Sequence, residues 1–399
     1  TKMLADEGFD CGLAGKFHLS AAQGRVEPRL DDGYKEYQWS HDPFPVWDVE
    51  DNRFLAWLKE KGKSFKELYP VNPENPDDIG WGMKDNPIYP GFPTEYHQTT
   101  WCTEKAIDFI RKSKGKPWLM SINTFDPHHP FDPPQEYLDR YNPDDMQLPL
   151  YQPGELDNKP EFQRKDHLGA YNGQGISYAN MSDYQHRQIV AAYYGMIELI
   201  DDSFGKILRA LEETGQCDNT LIIFMSDHGE MLGDHGIFCK GPYFYDQLIH
   251  VPLILSWPKG FLKDVKINTM VELVDIVPTL LELMGMEIPQ GIQGKSFLPY
   301  CTDINYHAEH KESVYCEYYN ALKSHKTYAT MVRNKRYKIV VYHGMELGEL
   351  YDLEKDPNEF ENLWNEPAYV DVKAMMMKEC FDRSVFATID PLPRRIGGY

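Results

Sequence analysis

The chain has no Cys-x-x-Cys pair, no apolar run of membrane-spanning length and no surplus of positive charge. Each absence excludes a class of protein. Seven cysteines scattered singly make neither a zinc cage nor a disulfide framework, and the odd number leaves at least one unpaired within the chain. Without about twenty consecutive apolar residues, no helix is expected to cross a bilayer. With 41 Lys and Arg against 62 Asp and Glu, the formal net charge of -21 repels nucleic acid and anionic membranes over most of the surface. An anionic substrate would need a local cationic pocket.

There is no initiator methionine and no signal peptide. Thr1 to Phe9 reads as the inside of a helix stopped at Gly8, so the start reads as a cut. The compartment, whether periplasmic, secreted or cytoplasmic, is not legible. Oligomeric state is equally unread. What is present is enough for a large core: 399 residues with 42% hydrophobic content suit one big domain and a smaller one. The 26 tyrosines are read as a tyrosine-rich surface rather than as a carbohydrate cleft.

The stretch Leu221-Ile222-Ile223-Phe224-Met225-Ser226-Asp227-His228-Gly229-Glu230 organises the reading. Five apolar residues bounded by turn formers predict a fully buried strand of a parallel sheet. Ligands of open α/β sheets bind beyond the carboxyl ends of strands, which places Asp227 and His228 for chemistry. An acidic oxygen beside an imidazole is half of a metal site. By itself, Asp-His-Gly is more often a plain turn. The continuation to Asp234-His235-Gly236 and then Cys239-Lys240-Gly241-Pro242 adds a glycine-rich loop with a cation, which suits an anion.

On these residues the chain resembles the sulfatase family of the alkaline-phosphatase-like superfamily. There a Ser-Asp-(Asn or His)-Gly strand end gives two ligands of a calcium ion, and a nearby Lys-Gly segment gives a lysine to the sulfate. The matching residues are Asp227, His228 and Lys240. Upstream, Gly15-Lys16-Phe17-His18-Leu19 resembles the family's Gly-Lys-(Trp or Phe)-His-Leu, in which the Lys contacts sulfate and nucleophile and the His lies beside the nucleophile. Lys16 and His18 are two apart, so an extended backbone would point both to one face. After a predicted core strand at 117–125, Pro127-His128-His129-Pro130 resembles the family's Pro-His-x-Pro. Its His meets the leaving-group oxygen, which by position is His128; His129 reads as structural or at the rim. Prolines on both sides fix the backbone, as a general acid requires.

The expected fold is α/β: an alkaline-phosphatase-like mixed, mostly parallel sheet between helices, with a smaller C-terminal antiparallel α+β subdomain. The expected division is a catalytic domain over 1–300 and a subdomain over 301–399. Periodicity predicts helices over 51–61, 94–112 and 182–214, the last with Ile189, Ala192, Tyr193, Met196, Ile197, Ile200 and Phe204 on its buried stripe and Glu198, Asp201 and Asp202 on a solvated face. Residues 28–93 and 132–178 read as excursions from the sheet, the first shaping a pocket rim and the second facing substrate. Asp77 and Asp78 read as turn residues. A strand over 251–258 and a hydrophobic helix over 271–284 follow. Alternation then predicts strands over 313–319, 328–333 and 337–342. Glu349-Leu350-Tyr351-Asp352-Leu353 resembles the family's last strand and turn. The tail through Arg394, Arg395 and Tyr399 could reach back toward the cleft.

The family pattern also contains a Cys (or Ser)-x-Pro (or Ala)-x-Arg motif, whose first residue becomes formylglycine, the nucleophile. None of Cys11, Cys102, Cys217, Cys239, Cys301, Cys316 or Cys380 stands in such a motif. The resemblance therefore implies a sulfuric ester hydrolase acting on a small anionic sulfated substrate, with a carbohydrate as one class. Its expected site is Lys16, His18, His128 and Lys240 with a metal at Asp227 and His228. The expectation is that the N-terminal segment is lacking and that the chain is inactive alone. The alternatives are a phosphonate monoester or phosphodiester hydrolase, and a non-catalytic sulfatase-like binding protein.

Overall fold

The computed structural model describes residues 1–17, 29, 31–44, 51–69, 88, 91–321 and 326–388. His18, Asp77, Asp78, Arg394, Arg395 and Tyr399 lie outside the described residues, as does much of the 28–93 excursion. The chain falls into two compact units: Thr1–Pro149 with Gln174–Thr220, and Leu150–Gly173 with Leu221–Tyr399.

In the first unit a short helix α1 (Lys2–Asp6) leads into β1 (Asp10–Gly15), which lies between β2 (Glu36–Trp39) and β3 (Trp118–Asn123). Both pairings are parallel, with Gly15 opposite Trp39 on one side and Asn123 on the other. Parallel neighbours need long crossovers, and here α2 (Arg53–Glu60) and α3 (Gln98–Lys112) lie between β2 and β3. Phe54, Trp57, Leu58, Phe92, Trp101 and Phe125 pack into one cluster with Ala14 of the sheet.

The long helix α4 (Asp183–Thr214) matches its predicted bounds. Ser182 and Gln185 form a reciprocal capping box, satisfying donors the first turn leaves open. Gly215 ends the helix at φ 69°, a conformation in which a side chain would be strained. Its buried stripe runs Ile189, Ala192, Met196, Leu199 and Ser203, which is the 3- and 4-residue step of a helix face. Ile197, expected inside, is 43% exposed; the expected stripe drifted by one residue because apolar type was followed instead of angle. The acidic side is also more than a solvated face. Arg140 Nη1 binds Glu198 at 2.7 Å, and Tyr137 donates to Asp202 at 2.8 Å, so this face holds the 133–146 segment.

In the second unit, β4 (Ile222–Met225) pairs antiparallel with β5 (Leu253–Ser256). This corrects the expectation of a fully buried parallel strand. Phe224 is 37% exposed, Met225 45% and Ile254 60%. Ile223, Leu253 and Leu255 pack on a cluster around Phe261, Ile276 and Phe297, with α5 (Ile276–Leu283) contributing to it. An apolar run marks a strand but does not say how many of its faces are covered.

Four strands follow as an antiparallel meander: β6 (Ser313–Tyr319), β7 (Tyr328–Asn334), β8 (Tyr337–Tyr342) and β9 (Glu349–Asp352), in that order. Neighbouring residues of a strand point to opposite faces, and this sheet buries both. Val332, Ile339 and Leu350 face Met376 and Cys380 of α6 (Val370–Thr388). Met331, Val340 and Tyr351 face Leu156, Phe162, Tyr243 and Tyr245. Part of the excursion expected to face substrate is thus a wall of this core. All seven cysteines are free thiols. Among the described residues no helix is long and apolar enough to cross a membrane.

Candidate active site

The first set of residues stands where β1 and β3 end. Gly15 has φ 107°, and a Cβ there would lie 1.9 Å from the Asn123 carbonyl oxygen, so only glycine lets the strand ends approach this closely. Lys16 N donates to Asn123 O at 2.7 Å, and Asn123 Nδ2 returns a bond to Lys16 O at 2.8 Å. Lys16 is thereby tied to the strand that leads into the turn Phe125–Pro130. Its Nζ lies 5.8 Å from the centre of the Phe125 ring, within cation–π range. The His128 ring tilts over the same Phe125 at 4.6 Å.

The His128 ring is oriented by its own turn. Nδ1 bonds the His129 carbonyl oxygen at 2.6 Å, and since a carbonyl only accepts, Nδ1 carries hydrogen. Nε2 is therefore the nitrogen at which the ring gains and loses a proton, and it carries one to give only as the imidazolium. His129 is buried and stacks on His128 at 4.1 Å, a packing role rather than a place at the rim.

The turn is pinned to the start of α3. Gln98 Oε1 accepts from Phe125 N at 2.9 Å, and Thr99 Oγ1 donates to Asp126 Oδ2 at 2.8 Å. His97 caps the helix, its Nδ1 accepting from Thr99 N. Burial lowers the His97 pKa, which keeps the ring neutral and able to accept, while burial raises that of Asp126 against the pull of His97. Gln98, Thr99 and Asp126 were missed as supports. A helix start 27 residues upstream gives no sign of which turn it will hold.

The second set follows β4. Asp227 Oδ1 accepts from His228 N at 3.0 Å, and Ser226 Oγ donates to His228 O at 2.7 Å. His228 Nδ1 bonds the Gly229 carbonyl at 2.7 Å, which leaves the lone pair on Nε2. That Nε2 lies 3.8 Å from Asp227 Oδ2, with the Asp side chain 71% exposed and the His 33%. A carboxylate oxygen and an imidazole lone pair at this spacing fit one divalent cation.

Glu230 is half-buried and accepts from both Leu232 N and Cys239 N. Met231 N also donates to Cys239 O, and Gly233 N to Ile237 O. Residues 230–239 are therefore a closed loop that ends at Lys240. Burial raises the Glu230 pKa, and Lys240 opposes it, so the cation and this carboxyl feel each other. The Cys239 thiol is pushed far up, by burial first and then by Glu230, and a thiol held protonated is a poor nucleophile.

The segment 150–173 braces this loop. Leu150 N donates to Asp234 Oδ1, His235 N to Leu150 O, Tyr243 Oη to Asp166 and Tyr245 Oη to Gln163. Lys159, 1% exposed, donates to Tyr245 Oη at 3.0 Å, Tyr351 Oη at 2.7 Å and Glu359 O at 3.1 Å. Sequence reasoning missed all of these supports, because nothing local distinguishes a buried lysine from a surface one.

A parallel sheet whose first strand ends in a cation, followed by a proline-bounded histidine turn, an Asp-His strand end and a separate antiparallel C-terminal sheet, defines an alkaline-phosphatase-like hydrolase. The sulfatase family description matches residues 2–286, and that of the N-sulphoglucosamine sulphohydrolase C-terminal region matches 233–385. The chain belongs to the sulfatase family, a family of sulfuric ester hydrolases. It is 29% identical over 383 residues to an arylsulfatase of Clostridium perfringens, covering 91% of this chain and 73% of that one. It is 30% identical over 350 residues to a multifunctional alkaline phosphatase superfamily protein of Trinickia caryophylli, covering 79% of this chain and 65% of that one. In fold it resembles a phosphonate monoester hydrolase from Silicibacter pomeroyi with a TM-score of 0.78, 22% identity and coverage of 98% and 80%.

Proposed function

We propose that these residues serve hydrolysis of a sulfate ester to an alcohol and inorganic sulfate. The reading is supported above all by the oriented His128, whose Nδ1 bond to its neighbour's carbonyl makes Nε2 the exchanging nitrogen, so that the imidazolium form protonates a departing alcohol oxygen. Lys16 and Lys240 each take the role of a cation that neutralises sulfate oxygens as charge grows on them. His18 assists release of sulfate. Asp227 and His228 hold a divalent cation, which when bound supplies Lewis acidity and activates the family's nucleophile. No cysteine of this sequence stands in the family's formylglycine motif, so these residues contribute binding, charge neutralisation and proton delivery. The functional division into 1–300 and 301–399 is part of the proposal, since all six residues precede 300.

Calcium is the ion the family resemblance implies. Calcium takes oxygen ligands, whereas an imidazole suits transition metals as well. Elemental analysis after dialysis distinguishes them: about one calcium per chain supports the first, and retained manganese or zinc replaces it. The substrate class is a small anionic sulfate ester, and the match of 233–385 to a sulphoglucosamine sulphohydrolase region favours a sulfated sugar.

His228 beside Asp227 and the fold likeness to a phosphonate hydrolase keep a second reading, phosphonate monoester or phosphodiester hydrolysis. Turnover of nitrophenyl sulfate is to be compared with that of a phenylphosphonate monoester and a phosphodiester. With the family's nucleophile motif supplied upstream, faster sulfate turnover is expected, and faster phosphonate turnover would replace the proposal. Binding of sulfated glucosamine with no turnover of any probe would make the protein a non-catalytic binder.

A further inference from the structure

Within the loop that ends at Lys240, His235 has φ 55°, uncommon for a residue with a side chain. Its ring is 1% exposed and lies nearly parallel to that of Tyr245, centres 3.9 Å apart. Neither ring nitrogen makes a hydrogen bond, and neither carboxylate oxygen of Glu155 does. The two groups face each other, Nδ1 to Oε2, at 3.5 Å, with side chains 1% and 2% exposed. Buried polar groups are costly without partners, and each of these has only the other.

We propose that Glu155 and His235 form a proton-sharing pair that positions the Lys240 loop, so that the charge of one buried carboxyl sets how firmly the loop is held. Around the pair stand Lys159 and His167 of the bracing segment, Asp234 of the loop, Lys338 and Glu349 of the C-terminal sheet, and Asp356 beyond it. His235 N is bonded to Leu150 O, and His167 Nδ1 to Gly236 O at 2.8 Å, so both sides of His235 are fastened to the segment that carries Glu155. The loop is closed by Glu230 next to Lys240. A shift at His235 therefore has a short covalent and hydrogen-bonded path to Lys240. The proposal rests on the reading of Lys240 as the sulfate-binding cation, and Glu155 is a positioning residue that touches no substrate.

Burial pushes the Glu155 carboxyl up from 4.5 to about 7, with Lys159 opposing, and burial with Lys159 pushes His235 down from 6.5 to about 3. Near neutrality the proton therefore enters on the carboxyl, whose O–H donates to the neutral imidazole. The folded pKa of Glu155 is raised, so its contribution is full below about pH 4.5 and is lost as pH rises through about 7, whereas that of His235 is lowered, so its contribution is full above about 6.5 and is lost as pH falls toward about 3; the Glu155 part is what a variant at 155 removes.

Glu155→Gln keeps the shape and a donor toward Nδ1 but does not titrate. Wild-type Tm is expected to fall by several degrees more than that of the variant between pH 5 and about 8, and KM for a sulfate ester to rise over the same window in the wild type alone. Superimposable Tm profiles would overturn the pair. Should the variant fail to fold, nitrogen NMR of His235 in the wild type decides: a Nδ1 shift with a midpoint about 7 is expected, and a flat trace to pH 5 overturns it. The Tm and NMR readings stand without turnover, so failure of the sulfatase reading would show separately, as lost activity with the titration intact.

Discussion

The turn after β3 and the loop after β4 solve one problem in two ways. The turn holds His128 with five neighbouring residues and two hydrogen bonds from the start of one helix. Burial disfavours charge on both ionisable supports, lowering the His97 pKa and raising that of Asp126. The loop holds Lys240 across ten residues, closed on itself by Glu230 and braced from 150–173 by buried charges. A short turn has few conformations to exclude, so backbone restriction and a handful of neutral bonds suffice. A long glycine-bearing loop loses more entropy on ordering, and here buried charge-assisted hydrogen bonds supply the hold.

The comparison can be broken at its chemical end first. His128→Ala should lower kcat on alkyl sulfates by about 10²–10⁴ and spare activated aryl sulfates, because poor leaving groups need the proton most. Equal losses on both would remove His128 from the acid role and leave the turn as packing.

The loop's dependence on buried charge is tested next. Lys159→Met removes the donor to Tyr245, Tyr351 and Glu359 and should destabilise the protein by about 3–5 kcal/mol in denaturant unfolding, because it leaves buried acids uncompensated. A change under about 1 kcal/mol would mean the brace is only packing. The turn, by contrast, should yield less. Thr99→Val deletes one neutral donor to Asp126 and should cost about 1–2 kcal/mol. If it cost as much as Lys159→Met, the distinction between the two devices would fall.

Much of the first region was legible. Glycine and proline constrain backbone locally, so Gly15-Lys16 and Pro127-His128-His129-Pro130 announced strand end and turn before any contact was known. The bounds of α4 followed from its periodicity and the Gly215 after it, and the Ser182–Gln185 capping box is what the structure adds. The second region was legible only at Asp227, His228 and Lys240. Glu155, Lys159, Gln163 and Asp166 looked like ordinary polar residues of an excursion, yet Lys159 is 1% exposed and Gln163 and Asp166 are fully buried.

By itself, then, the sequence determined what short-range chemistry dictates: the parallel α/β start, the long helix and the antiparallel C-terminal sheet, and it named the side chains proposed to react. Tertiary structure alone decided the antiparallel, half-exposed setting of β4, the face that α4 buries, and the set of buried charges beneath the Lys240 loop. Local propensity acts over a few residues, whereas desolvation and ion pairing depend on which distant segments exclude water together. Glu155 and His235 are 80 positions apart, and only the fold makes them neighbours.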